Sequence, residues 1–247
     1  TKCGYCDFNA YANLEYLAPE YTKALIKEIK LWETSLSKYT VKSIFFGGGT
    51  PSLTSIPDLK LIISTLFETF NINSAVEFTL EANPTELTEE HLFKMRELGI
   101  NRLSMGVQSM NTEELQLLER SHSPEQVISV IKTARKVGFN NLNLDLIYGI
   151  INQNLLTWKE TVDEILEYNP DHLSCYALTI EAGTPLYYRV EKGLLPEPNS
   201  DIAAEQYEWT RKRLDEAEYV HYEISNWAKK DYSCMHNLIY WRNEDYL

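Results

Sequence analysis

Arg102-Leu-Ser-Met-Gly-Val-Gln108 alternates with a period of two: Arg102, Ser104, Gly106 and Gln108 fall on one side of an extended chain, with Leu103, Met105 and Val107 on the other. The rhythm recurs upstream, where Glu77, Thr79 and Glu81 oppose Phe78 and Leu80, and downstream, where Asn141, Asn143 and Asp145 oppose Leu142, Leu144 and Leu146. His172, Ser174 and Tyr176 repeat it once more. Each apolar face suits a layer of packed helices. Each polar face needs partners, because carboxylates and amides removed from water must be hydrogen-bonded. A closed (β/α)8 barrel fills its interior with branched apolar side chains, and an open doubly wound sheet reads as continuous apolar runs. The pattern therefore predicts a partly open barrel with a wet or ligand-filled lumen.

Strands are predicted at 41–46, 75–81, 101–107, 141–147 and 172–178. Amphipathic helices are predicted at 19–36, 59–70, 88–98, 124–137, 157–168 and 202–218. Thr88 and Ser123 are helix starts, Gly99 and Gly138 helix stops. The aromatic stretch 219–227 reads as a further strand. The 247 residues, 44% hydrophobic and 24% charged, are those of a globular protein and exclude disordered and collagen-like chains. With 23 basic against 36 acidic residues, the net charge of −13 repels nucleic acid, and no basic patch offsets it. The four cysteines, Cys3, Cys6, Cys175 and Cys234, are too few and too unevenly spaced for a disulfide framework. They suit a reducing compartment, so the cytoplasm is expected. No apolar run approaches the roughly 18 residues that span a bilayer. The chain opens on Thr1 rather than Met and is expected to be truncated at both ends.

Two motifs stand out. Cys3-Gly-Tyr-Cys6 is a CxxC, whose spacing alone fits metal binding, a redox disulfide or no function. Gly47-Gly-Gly-Thr-Pro-Ser52 follows the first predicted strand, and its glycines let a ligand approach the backbone, although a tight turn explains them equally well. It lacks the Lys of a P-loop and the spacing of a dinucleotide site. Glu81, Gln108 and Asp145 crowd the same strand ends, where α/β folds bind ligands.

Taken together with Leu80-Glu-Ala-Asn-Pro84, Asp145-Leu-Ile-Tyr-Gly149 and His236-Asn-Leu-Ile-Tyr-Trp241, these motifs resemble the radical S-adenosylmethionine (SAM) superfamily, in its coproporphyrinogen III oxidase-like branch. The resemblance covers essentially the whole chain. It implies a partial, open (β/α)6-type TIM barrel of the radical SAM type. Residues 1–190 would form the barrel without its first strand and first cluster cysteine, and 191–247 the last barrel elements and the start of a C-terminal region. In the family signature C-x3-C-x2-C, Cys3 and Cys6 match the second and third ligands of a [4Fe–4S] cluster. The family pattern implies SAM contacts at Gly48, Gly49 and Thr50 (methionine amino end), Arg120 (carboxylate), Gln108 and Asp145 (ribose) and Glu81. Parity supports Gln108 and Asp145 independently, while Arg120 on its own reads as an exposed helix-end residue.

Within the branch, the oxidases resemble C-x3-C-x2-C-x-C, and here Phe8 stands at the fourth cysteine. Cys6-Asp-Phe-Asn-Ala-Tyr11 and the HNxxYW of 236–241 resemble the heme chaperones instead. That resemblance implies heme as cargo with His236 as its ligand, an apo-hemoprotein acceptor, an electron donor such as flavodoxin or ferredoxin, a homodimer, and membrane association during delivery. The alternatives are radical decarboxylation of coproporphyrinogen III and a CxxC redox protein. His91, His122, His172 and His221 read as hydrogen-bonded core histidines, and Cys175 as core. Gly149-Ile-Ile-Asn-Gln153 departs from the family by lacking a Pro and a second Gly.

Overall fold

The computed structural model describes residues 2–9 and 13–247. Helix α1 (Ala18–Leu31) and one further turn, α2 (Glu33–Leu36), lead into β1 (Val41–Phe46), α3 (Ile56–Thr69), β2 (Ile72–Ala82), α4 (Glu89–Glu97) and β3 (Arg102–Gln108). Then come α5 (Thr112–Leu117), α6 (Pro124–Lys136), β4 (Leu142–Tyr148), α7 (Leu155–Glu167), β5 (His172–Ala177) and α8 (Pro185–Glu191). The chain closes with α9 (Ser200–Glu216), β6 (Val220–Glu223), β7 (Asn226–Ala228) and α10 (Met235–Trp241). Side-chain caps set the helix starts. Ser123 and Gln126 form a capping box on α6, Asn154 and Thr157 another on α7, and Thr88 caps α4. Gly99 and Gly138, with φ of +93° and +95°, follow α4 and α6.

One seven-stranded sheet, ordered β1-β2-β3-β4-β5-β7-β6, curls into a half-barrel. β1 to β5 are parallel, and β7 and β6 add as an antiparallel hairpin. The predicted elements are present, with three differences. β2 begins at Ile72 because Val41 pairs with it before a bulge resets the register at Ser43. The helix expected over 19–36 is interrupted at Trp32, whose N–H turns back to the Ile29 carbonyl. The single strand expected over 219–227 is a hairpin, its turn held by the Glu223 carboxylate accepting from Ser225 N–H and the Asn226 amide.

The two faces segregate as the alternation requires. Phe78, Leu80, Leu103, Met105, Leu144, Leu173 and Cys175 pack against Leu59, Leu92, Val127, Trp158 and Leu214 from the helices in one continuous core. On the concave face the register aligns Glu81, Ser104, Asn143 and His172 in one row, and Gly106, Asp145, Ser174 and Asn226 in the next. Asn143 is the hub. Its Nδ2 donates to Ser104 Oγ and Asp145 Oδ1, both at 2.8 Å, and its Oδ1 accepts from His172 Nδ1 at 2.6 Å and Ser174 Oγ at 3.1 Å. Arg102, 2% exposed, donates to Thr79 Oγ1 at 3.5 Å, and its Nε has no partner among the described residues. None of the described helices is long and apolar enough to cross a membrane.

Replacing Asn143 by Leu leaves His172, Ser104 and Asp145 short of partners inside the barrel. Upward of about 2 kcal/mol of stability is expected to be lost, read as a lower urea midpoint with an unchanged slope.

Candidate functional site

The CxxC loop lies over the carboxyl ends of the strands and is tied down on both sides. Gly4 N–H donates to the Leu118 carbonyl after α5, and the Gly4 carbonyl accepts from Leu186 N–H in α8. A Cβ at Gly4 would stand 2.8 Å from the Glu119 side chain, so this glycine lets the loop descend. Tyr5 packs on Leu118, Ile147 and Ile150. Cys3 and Cys6 are left as free, partly buried thiols. Among the described residues no third His, Cys, Asp or Glu joins them into a metal site. Of the segment Cys6–Tyr11, Ala10 and Tyr11 lie outside the described residues.

Arg120 binds the loop to the sheet. Its guanidinium donates to Cys3 Sγ at 3.3 Å, Asn83 Oδ1 at 2.8 Å and the Gly106 carbonyl at 2.6 Å. It is partly buried, contrary to the exposed reading that its sequence position alone suggests. Gly106 makes the close packing possible, since a Cβ there would meet Gln108 Nε2 at 2.8 Å and Arg120 Nη2 at 3.1 Å. Gln108 therefore lies over Gly106 beside Arg120, its backbone at φ +71° after a bulge. Asn83, which sequence reasoning left without a role, joins the set by donating to Thr50 Oγ1 at 3.3 Å. Its signal was its place in Leu80–Pro84, directly after the strand-end Glu81.

Gly48 and Gly49 are exposed, and a Cβ on either would meet nothing within 4 Å. Beside them Glu81 is hydrogen-bonded by the Gly48 backbone. Burial, with the nearby Asp145 charge adding to it, raises the Glu81 carboxyl from 4.5 to about 7. Burial raises Asp145 too, against hydrogen bonds from Ser174, Asn143 and Ser104. The rim thus gathers Gly48, Gly49, Thr50, Glu81, Gln108, Arg120 and Asp145 around the CxxC loop. Its donors, glycine-lined opening and paired carboxyls fit a zwitterionic ligand with vicinal hydroxyls, and Cys3 and Cys6 fit thiolate ligation of iron. In the loop after β4, Asn152 takes φ +67° in the left-handed region, and Gln153 Oε1 accepts from Ile150 N–H at 3.3 Å.

His236 stands next to this rim, one aromatic ring away: it packs on Phe45, and a Cβ at Gly47 would meet both the Phe45 ring at 3.0 Å and Glu81 Oε2 at 3.2 Å. It lies in α10, which Glu77 fixes by accepting from Met235 N–H at 2.9 Å, His236 N–H at 3.0 Å and Cys234 Sγ at 3.4 Å. Burial pushes the Cys234 thiol up to about 11, so it keeps the proton it donates. The His236 ring stacks on Phe45 with centroids 4.8 Å apart, and Nδ1 meets Ser43 Oγ at 3.1 Å. Burial lowers its pKa and keeps it neutral. Tyr240 crosses it edge-on, and Tyr240 and Trp241 are exposed. Of the other histidines, His172 and His122 are buried and hydrogen-bonded as expected; His91 and His221 are not core residues, His91 being half-buried in the first turn of α4 and His221 exposed on the edge hairpin, stacked on Trp227 with Nε2 3.1 Å from the Ile224 carbonyl.

Residues 1–165 match the Radical SAM superfamily. The chain belongs to that superfamily. Membership implies a [4Fe–4S] cluster and SAM. A heme chaperone HemW of Buchnera aphidicola is 38% identical over 247 residues, all of this chain and 64% of its own length. The mitochondrial radical S-adenosyl methionine domain-containing protein 1 of Danio rerio is 33% identical over 100% of this chain and 55% of its own. Coproporphyrinogen III oxidase (HemN) from Escherichia coli, described as a radical SAM enzyme, superposes with a TM-score of 0.85 at 27% identity. That match covers 98% of this chain and 55% of the oxidase. The chain thus spans less than two thirds of these relatives.

The raised Glu81 carboxyl makes a pH prediction. Folded, it holds a proton that the unfolded chain releases near 4.5, so its contribution to stability falls as pH rises from about 4.5 to about 7. Glu81→Gln is therefore expected to gain thermal stability relative to wild type between pH 5 and pH 8. A melting difference that does not change with pH would refute the shift.

Proposed function

We propose that this chain is the cofactor-binding part of a heme chaperone: it holds heme through His236 and passes it to apo-hemoproteins. The observation that carries the reading is the presentation of His236. Nδ1 is engaged by Ser43, the ring is clamped on Phe45, and Nε2 has no hydrogen-bond partner among the described residues. A neutral imidazole with one nitrogen oriented and the other free is an axial iron ligand. Tyr240, edge-on to the His236 ring, and Trp241 on the same helix are exposed aromatic surface available to a macrocycle. Relatives named heme chaperone HemW support the same reading. So does Phe8, exposed at the position of the oxidases' fourth cysteine.

In this proposal Cys3 and Cys6 hold two corners of the [4Fe–4S] cluster, which when loaded supplies an electron to the SAM sulfonium. Gly48, Gly49 and Thr50 receive the methionine amino end, Arg120 its carboxylate, Gln108 and Asp145 the ribose, with Glu81 completing the set. Residues 1–190 provide this barrel, and 191–247 add its last elements and the heme-ligand helix. An electron donor of the flavodoxin or ferredoxin kind, a second copy of the chain, and transient membrane contact from the cytoplasm belong to the same proposal.

Heme titrated anaerobically into the cluster-reconstituted protein is expected to give a stoichiometric Soret shift that His236→Ala abolishes. Absence of binding in both would remove the chaperone reading and favour decarboxylation of coproporphyrinogen III, which the likeness to the oxidase supports. At the rim, Gly106→Ala drives a methyl group into Gln108 and Arg120. Roughly tenfold weaker SAM binding, about 1.4 kcal/mol, is expected by equilibrium dialysis.

A further inference from the structure

A chain of hydrogen bonds runs through the lumen from Asp145 to the first residues of α10. Asn143 Nδ2 donates to Asp145 Oδ1 at 2.8 Å, and His172 Nδ1 meets Asn143 Oδ1 at 2.6 Å. His172 Nε2 meets Tyr222 Oη at 2.6 Å, which accepts from Cys234 N–H at 3.3 Å. A single direction of donation satisfies all four. The Asn143 amide nitrogen is used by Asp145 and Ser104, so its oxygen accepts, and His172 must carry its proton on Nδ1. Burial holds the His172 pKa far below its ordinary value, which keeps the ring neutral and Nε2 an acceptor. Tyr222, whose phenol burial pushes up, therefore donates to His172 while accepting from Cys234. The last link lies two residues before His236, beside the Glu77 contacts that fix the same turn.

We propose that His172 and Tyr222 are positioning residues that couple an adenosyl group held at Asp145 to the heme ligand His236, so that the two ligands bind cooperatively. The proposal rests on the heme-chaperone reading for its second ligand. Ribose hydroxyls donating to Asp145 hold it as an ionised acceptor, and each bond then polarises the next along the chain. A firmer hold on Cys234 N–H fixes the start of α10 and reduces the ordering that heme must impose on His236.

The test uses S-adenosylhomocysteine and heme with the cluster-reconstituted protein. Saturating S-adenosylhomocysteine is expected to tighten heme binding at least about fivefold by Soret titration, and heme to tighten S-adenosylhomocysteine by the same factor. Tyr222→Phe, which removes only the hydroxyl, is expected to bring the ratio to one. Without heme, S-adenosylhomocysteine is expected to slow amide exchange at Cys234, Met235 and His236. A ratio of one in wild type, an unchanged ratio in Tyr222→Phe, or no binding of S-adenosylhomocysteine overturns the proposal. Should heme not bind at all, the chaperone reading fails and amide exchange alone decides the relay: unchanged exchange overturns it. The same wild-type measurement decides if Tyr222→Phe does not fold.

Discussion

The structure depends on satisfying the polar inner face of a half-barrel. Ordinary barrels avoid the problem by filling their interior with branched apolar side chains. Here Glu77, Glu81, Arg102, Asn143, Asp145 and His172 all point inward, and an unpaired group in that space would cost several kcal/mol. Asn143 answers most of the demand by using both amide hydrogens and both oxygen lone pairs at once. The elements beyond β5 answer more of it, Tyr222 by reaching His172 and α10 by giving Glu77 three donors, and Arg102 Nε is left without a partner among the described residues. What the inner face leaves unspent at the carboxyl ends of the strands is the candidate cofactor site.

The barrel and the rim were legible because period-two alternation is local. Parity placed Glu81 and Asp145 on the concave side, and the register confirms that they share it with Ser104 and Asn143. Gln108 shows how far parity reaches. Counting by twos puts it on the polar face, where it lies, but a bulge intervenes and its backbone turns to φ +71°, so Gly106 rather than counting accounts for its position. Arg120 was legible only through family resemblance, since it lies between α5 and α6 where no periodicity marks a side chain's direction. Contacts of long separation left no trace in the sequence. Glu77 meets α10 across 159 residues and Ser43 meets His236 across 193.

Loop chemistry shows the same division between local rule and tertiary outcome. Asn152 takes a left-handed φ in the loop after β4 because its short polar side chain tolerates that backbone region. Gln153 and Gln206 hold the same loop through their side-chain oxygens, which accept from the N–H groups of Ile150 and Gly149. The turn is thus held by side-chain hydrogen bonds, one of them reaching across from α9.

The order of contacts along β1 and β2 shapes the proposed reading. Glu77 fixes the start of α10, Phe45, level with Thr79, carries the His236 ring toward the rim, and Glu81 ends the row. A Cβ at Gly47 would touch both the Phe45 ring and Glu81 Oε2, so one aromatic ring separates the ligand histidine from the rim carboxyl. Nearness to the rim therefore does not by itself divide delivery from decarboxylation, since an oxidase also needs its substrate there. The histidine divides them: a neutral imidazole with Nδ1 held and Nε2 open suits iron, which coproporphyrinogen III lacks. Joined to the rim also by hydrogen bonds whose direction is fixed, it is placed to hold an iron macrocycle and to respond to whether the rim is occupied, which favours transfer over decarboxylation.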